Sequence, residues 1–186
     1  VTDMEEKYGK LAHYDAEYTH ALYEMGLDKG IPQYPDANST LRLTFGHVCP
    51  LHPSDARFVA EKSTSKGILE KYDPTDYEFN VNDDFLALLK EGDWGRWGDR
   101  KDGKMYVNFL SDNDITGGNS GSPVMDAKGR LVGLAFDGNK ESLCSDAYFH
   151  PDYCKTVSVD IRYVLWILEK YLKADQLLSE MKIINQ

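Results

Sequence analysis

The chain has 186 residues and a formal net charge of −10, with 41% hydrophobic and 28% charged residues. That is enough apolar material for one core. The acidic balance argues against nucleic acid as a partner, because phosphates demand clustered Lys and Arg, and no apolar run approaches the roughly 20 residues of a membrane-spanning helix.

The sequence starts at Val1, shows no secretory leader, and enters a helical pattern at once, so further sequence is expected upstream. Met4, Tyr8, Leu11, Tyr18, Leu22 and Met25 recur mostly at three- and four-residue steps, which predicts an amphipathic helix over 3–26. Asp3 is its expected cap and Gly26 its expected stop. His13 and His20 lie seven apart, too far for a metal pair on one helix face, and read as surface or packing residues. Residues 28–39 have the composition of a linker. After it Leu41, Leu43 and Phe45 alternate with polar residues, which predicts a half-buried strand. A boundary is therefore expected near residue 38, with a helical element over 1–38 and a β-rich domain over 39–186.

Within that domain Tyr77, Phe79 and Val81 alternate as a short strand. Residues 83–89 predict a helix with Leu86 and Leu89 inward, and 92–103 a polar, Gly-rich loop carrying Trp94 and Trp97. Residues 104–110 predict a strand, 122–125 and 130–136 a hairpin about the turn Asp126-Ala127-Lys128-Gly129, and 156–159 another strand. Asp160 then caps a closing helix to about Tyr171. The expected class is mainly β with flanking helices. Cys49, Cys144 and Cys154 form no C-x-x-C pair, and nothing implies a metal or an organic cofactor. Cys144 and Cys154 either bridge a short loop in an oxidising compartment or stand as ordinary thiols.

The chemistry lies in Thr116-Gly117-Gly118-Asn119-Ser120-Gly121-Ser122-Pro123-Val124. A nucleophilic serine needs an exposed hydroxyl on a tight turn and backbone N–H groups converging on the developing oxyanion. Glycines on both sides of Ser120 permit that turn. Gly118 and Ser120, two apart, have the spacing of the serine-protease oxyanion hole. A strand–turn–strand hairpin follows, so the whole stretch reads as a chymotrypsin-like nucleophile loop on the second barrel of that fold.

Residues 117–123, together with Leu134-Ala135-Phe136-Asp137-Gly138-Asn139 and Val159-Asp160-Ile161-Arg162-Tyr163-Val164-Leu165, resemble the C-terminal region of the bacterial dipeptidyl-peptidase 7/11 family of serine peptidases. Residues 34–42 and 67–72 resemble it too. The resemblance implies the C-terminal barrel of a chymotrypsin-like double β-barrel, preceded by the tail of a helical cap domain. It implies release of dipeptides from peptides with a free N-terminus, at a periplasmic or cell-surface location. By the same resemblance Ser120 is the nucleophile, Gly118 and Ser120 form the oxyanion hole, and Asp137 holds the substrate α-amino group with Phe136 lining that subsite. Gly138 matches the position that tunes the P1 pocket. The acidic-specific branch has arginine there, so glycine implies the dipeptidyl-peptidase 7 branch and an apolar P1 side chain.

A serine needs a histidine base. His47, 73 residues before Ser120, leaves too little chain for a whole first barrel, and His150 reads as a loop residue. The catalytic His and Asp are therefore expected on upstream sequence of the same protein. Half a double barrel exposes a face, which makes that upstream part, or a second copy in a homodimer, the expected partner. Asp114, six residues before Ser120, stands where an exposed acid would favour Arg or Lys at P1; the alternative is a loop or capping residue. Two other functions compete: a glutamyl endopeptidase, which shares Gly-Asn-Ser-Gly-Ser-Pro, and a catalytically silent peptide-binding module.

Overall fold

The computed structural model describes residues 2–30, 41–143, 145 and 149–184. They fall into two units, within residues 1–42 and 43–186. The first holds one helix, α1 (Thr2–Asp28), which passes through Gly26 and ends where Gly30 turns left-handed at φ 66°. Gly26 fails as a stop because its carbonyl is still used, accepting from the Lys29 N–H. His13 and His20 make exposed i, i+4 pairs with Glu17 and Glu24. Tyr8, Leu11, Tyr18, Leu22 and Met25 remain exposed, so the apolar stripe of α1 is not buried. The boundary expected near residue 38 lies outside the described residues.

The strand expected from Leu41 to Phe45, across the boundary between the units, does not form. Leu41, Leu43 and Phe45 are 99%, 81% and 75% exposed, and residue 48 makes only an isolated bridge to Ser111. A pattern of alternation needs a partner strand to become a ladder, and among the described residues this segment has none. The chain then forms an antiparallel hairpin, β1 (Leu51–Ser54) and β2 (Arg57–Val59), followed by β3 (Lys62–Thr64), α2 (Ser65–Lys71) and α3 (Asp83–Glu91). None of β1, β2, β3 or α2 is visible in the periodicity. The strand expected over 77–81 is instead a run of turns. Asp73 accepts from Thr75 and Asp76 from the Glu78 N–H, and such side-chain-to-backbone bonds override a short alternation.

The main sheet is antiparallel, with β4 (Tyr106–Ser111), β5 (Pro123–Met125), β6 (Leu131–Gly138) and β7 (Thr156–Asp160) joining β3 in the order β3-β4-β7-β6-β5. α4 (Ile161–Trp166) follows, continued by one π-helical turn (Ile167–Tyr171), and then α5 (Asp175–Glu180). With α2 and α3 inside the domain, the architecture is mixed helix and antiparallel sheet, not β with helices only at its flanks.

The core gathers Leu89, Trp97, Met105, Leu165, Trp166 and Leu178. Trp166, fully buried, packs against Phe85, Trp94 and Tyr163 and donates through Nε1 to the Asp93 carbonyl. Asp160 caps α4 by accepting from the Arg162 N–H, and its carboxylate also binds the Arg162 guanidinium, which reaches Asp99. This ties the 92–103 loop to the sheet. On β7 the residues Thr156, Ser158 and Asp160 are buried, so polar side chains fill that face of the strand.

Candidate active site

Ser120 sits in the loop between β4 and β5. The loop is shaped by Asn119: its Oδ1 accepts from the Thr116 N–H at 2.9 Å, its N–H donates to the Thr116 carbonyl, and its carbonyl accepts from Ser122. Gly118 (φ 97°) and Gly121 (φ 84°) supply the left-handed turns on either side, where a side chain would be strained. The loop is then pinned across to β6. The Gly121 N–H donates to the Ala135 carbonyl at 2.7 Å, and the Ala135 N–H to the Ser122 carbonyl at 3.0 Å. Ser120 is exposed and its Oγ donates to the Phe136 carbonyl at 3.3 Å. Among the described residues, the N–H groups of Gly118 and Ser120 have no acceptor, which leaves two donors for a ligand oxygen.

Opposite the loop, β6 carries a bulge. Ala135 pairs with Ser158 and Asp137 with Val157, so Phe136 is the extra residue. A bulge re-aims side chains, and here Phe136 is half-exposed beside Ser120. Asp137 is exposed, and its Oδ1 accepts from the Gly138 N–H at 2.8 Å. Asp137 is thus a strand residue.

Ser120, Phe136, Asp137 and Gly138 line one cavity of about 260 Å³, closed by Asn113–Gly117 on one side and by residues around Ser142, Phe149 and Cys154 on the other. Gly118 is not among the lining residues. Asp114 lines the cavity but is only 8% exposed, which removes the freely exposed acid that a basic P1 would need. Among the described residues that line it, the one basic side chain is Lys155, whose Nζ donates to the Pro151 carbonyl. Cys154 is a buried free thiol that accepts from the His150 N–H, while Cys144 lies outside the described residues.

No histidine nitrogen is a described partner of the Ser120 hydroxyl. The His47 N–H is bound to Asp112, and His150 Nδ1 accepts from the Asp152 N–H. No group of three or more His, Cys, Asp or Glu among the described residues is arranged to hold a metal ion, and no described helix is long and apolar enough to cross a membrane.

Two features of the site were not legible in the sequence. The bulge leaves no compositional mark. The role of Asn139, whose side chain accepts from the Lys155 N–H and donates to the Tyr153 carbonyl, depends on a contact 16 residues away.

Residues 2–183 match the Peptidase S46 family. The chain is 45% identical over 163 residues to a dipeptidyl-peptidase 7 of Porphyromonas gingivalis, covering 88% of this chain and 22% of that protein. It is 48% identical over 152 residues to an Asp/Glu-specific dipeptidyl-peptidase of Capnocytophaga gingivalis, covering 82% and 21%. A crystal structure of Porphyromonas endodontalis DPP11 in complex with the dipeptide Arg-Glu superposes with a TM-score of 0.75 at 42% identity, over 78% of this chain and 21% of that one. The mixed helix and antiparallel-sheet architecture is the one found there. The chain therefore spans about a fifth of the length of these relatives. It belongs to the peptidase S46 family.

Proposed function

We propose that this member of the peptidase S46 family is the C-terminal part of a serine exopeptidase that releases dipeptides from the N-termini of peptides. The observation that carries the reading is a juxtaposition: an exposed Ser120, on a loop pinned to β6, shares one cavity with the exposed carboxylate of Asp137. A nucleophile at one point and an anion at another measure out a short substrate with a charged amine.

In this mechanism Ser120 Oγ attacks the carbonyl carbon of the second residue. The N–H groups of Gly118 and Ser120 bind the oxyanion, and the amine of the shortened peptide leaves. A histidine, oriented by an aspartate, takes the Ser120 proton and returns it to the leaving amine. Both are supplied by upstream sequence, which forms the first half of a chymotrypsin-like double barrel with this domain as the second. Water then cleaves the acyl-enzyme. Asp137 pairs with the α-ammonium beside Phe136, so a blocked N-terminus loses a charge-assisted bond and leaves a carboxylate facing an uncharged group.

An apolar P1 side chain suits the cavity. Gly138 offers no cation, and the Lys155 ammonium is already engaged with the Pro151 carbonyl. Relatives with each specificity match at similar identity, so this preference rests on the cavity. Residues 1–38, with α1, are the end of a helical cap domain and its linker. The periplasmic or cell-surface location rests on the resemblance alone.

The test is hydrolysis by the full-length protein of dipeptidyl reporters ending in Leu, Asp or Arg, each with free and acetylated N-termini. Release only from free amines, best after Leu and lost in Ser120→Ala, is the expected result. Cleavage of acetylated substrates would point to the endopeptidase instead, and full turnover by a folded Ser120→Ala to the silent module.

A further inference from the structure

We infer that Ser142, acting as a pair with Gly138, is a specificity-determining residue of the cavity beside Ser120. The inference rests on the proposed dipeptidyl-peptidase reading and assigns one wall of its P1 pocket. Gly138 and Ser142 both line the cavity. A Cβ built on Gly138 would overlap the Ser142 Oγ, well inside contact distance, while the Ser142 Cβ would stand at an ordinary 3.6 Å. Gly138 does not lie in the left-handed region, so its backbone admits any L residue. The restriction at 138 therefore comes from one hydroxyl.

That hydroxyl is held in place. Ser142 Oγ donates to the Asn139 carbonyl at 2.7 Å, and the Ser142 N–H donates to the same carbonyl at 3.0 Å. Asn139 is fixed in turn: its N–H donates to the Lys155 carbonyl, its Oδ1 accepts from the Lys155 N–H, and its Nδ2 donates to Glu141 and the Tyr153 carbonyl. The backbone of the 139–142 turn is thus anchored, and the Ser142 hydroxyl can move aside only by giving up its bond to the Asn139 carbonyl. Ser142 occupies the space that a side chain at 138 would take, and it presents a hydroxyl to the ligand there. The two positions form one wall, and the effect of changing either depends on the other.

The experiment is a double-mutant cycle in the full-length protein with Gly138→Ala, Ser142→Gly and the double variant. Each is measured for kcat/KM on dipeptidyl reporters ending in Ala, Leu and Phe, and for thermal melting. Gly138→Ala alone is expected to lose about tenfold in kcat/KM on Leu and to lower Tm, and Ser142→Gly in the same chain to restore most of both. Ser142→Gly alone is expected to shift the Phe-to-Ala ratio severalfold in favour of Phe, because the wall recedes. Additive effects in both readouts, or a ratio unmoved in Ser142→Gly, would overturn the inference while leaving the peptidase reading intact. A wild-type protein that releases no dipeptide would overturn both. The melting cycle reports the steric pair without any substrate.

Discussion

Asp137 concentrates the exopeptidase character of the proposed site in one side chain. One of its oxygens accepts from the Gly138 N–H, and the side chain lines the cavity. A charge-assisted hydrogen bond is worth roughly 1.5–3 kcal/mol. Asp137→Ala is therefore expected to lower kcat/KM on free-amine reporters by about tenfold to a hundredfold, chiefly through KM. An unchanged KM would place the α-amine elsewhere. A second carboxylate tests the hairpin that holds the loop. Asp126 accepts from the Arg130 side chain and the Arg130 and Lys128 N–H groups, and these hold its carboxyl down to about 2. Its folded value lies below its unfolded one, so its contribution is complete above about pH 4 and lost as pH falls from there toward 2. A carboxyl resonance of Asp126 titrating near 2 is expected; a midpoint near 4 would show that the pairing does not form.

At the scale of elements, α4 joins the sheet to the core through Asp160 and Trp166. Asp160 is 6% exposed and holds the Arg162 guanidinium, which burial alone would disfavour. Asp160→Ala loses the helix cap and the charge-assisted bonds to Arg162, which keeps Asp99 as a partner, and is expected to destabilise by roughly 2–3 kcal/mol in urea denaturation. Trp166→Ala, which empties the most buried large side chain, is expected to cost about 3–5 kcal/mol. A loss under 1 kcal/mol in either would contradict the packing described. These elements were legible in sequence because local signals and tertiary packing agree: the cap at Asp160, the apolar face of α3 with Leu86 and Leu89 inward, and the Asp126–Gly129 turn between β5 and β6. The nucleophile loop was legible for the same reason, since its glycines and Asn119 act within a few residues. The alternations at 41–45 and 77–81 misled. One has no described partner strand and the other is overridden by Asx turns. β1, β2 and β3 are three or four residues long, too short for a period to declare itself. The bulge at Phe136 and the Asn139 anchor depend on contacts with β7 or the segment before it, which no local string encodes.

For the whole molecule, the informative feature is what stays uncovered. In the second unit Leu43, Phe45 and Phe58 are exposed, and in the first, by itself, so is the apolar stripe of α1. Surface of that kind marks an interaction site, which supports the proposal that upstream sequence docks on this domain and brings the histidine base. Replacing Leu43 and Phe45 by Ser in the full-length protein is expected to lower activity and Tm together; no effect on either would count against that docking. The central claim is that Ser120 is the nucleophile of a dipeptidyl peptidase. Fluorophosphonate labelling of the full-length protein, with mapping of the adduct, tests it most directly. The expected adduct lies on Ser120 and is suppressed by a dipeptide with a free amine but not by its acetylated form. An adduct on another serine, or dipeptide release with Ser120 unlabelled, would contradict it.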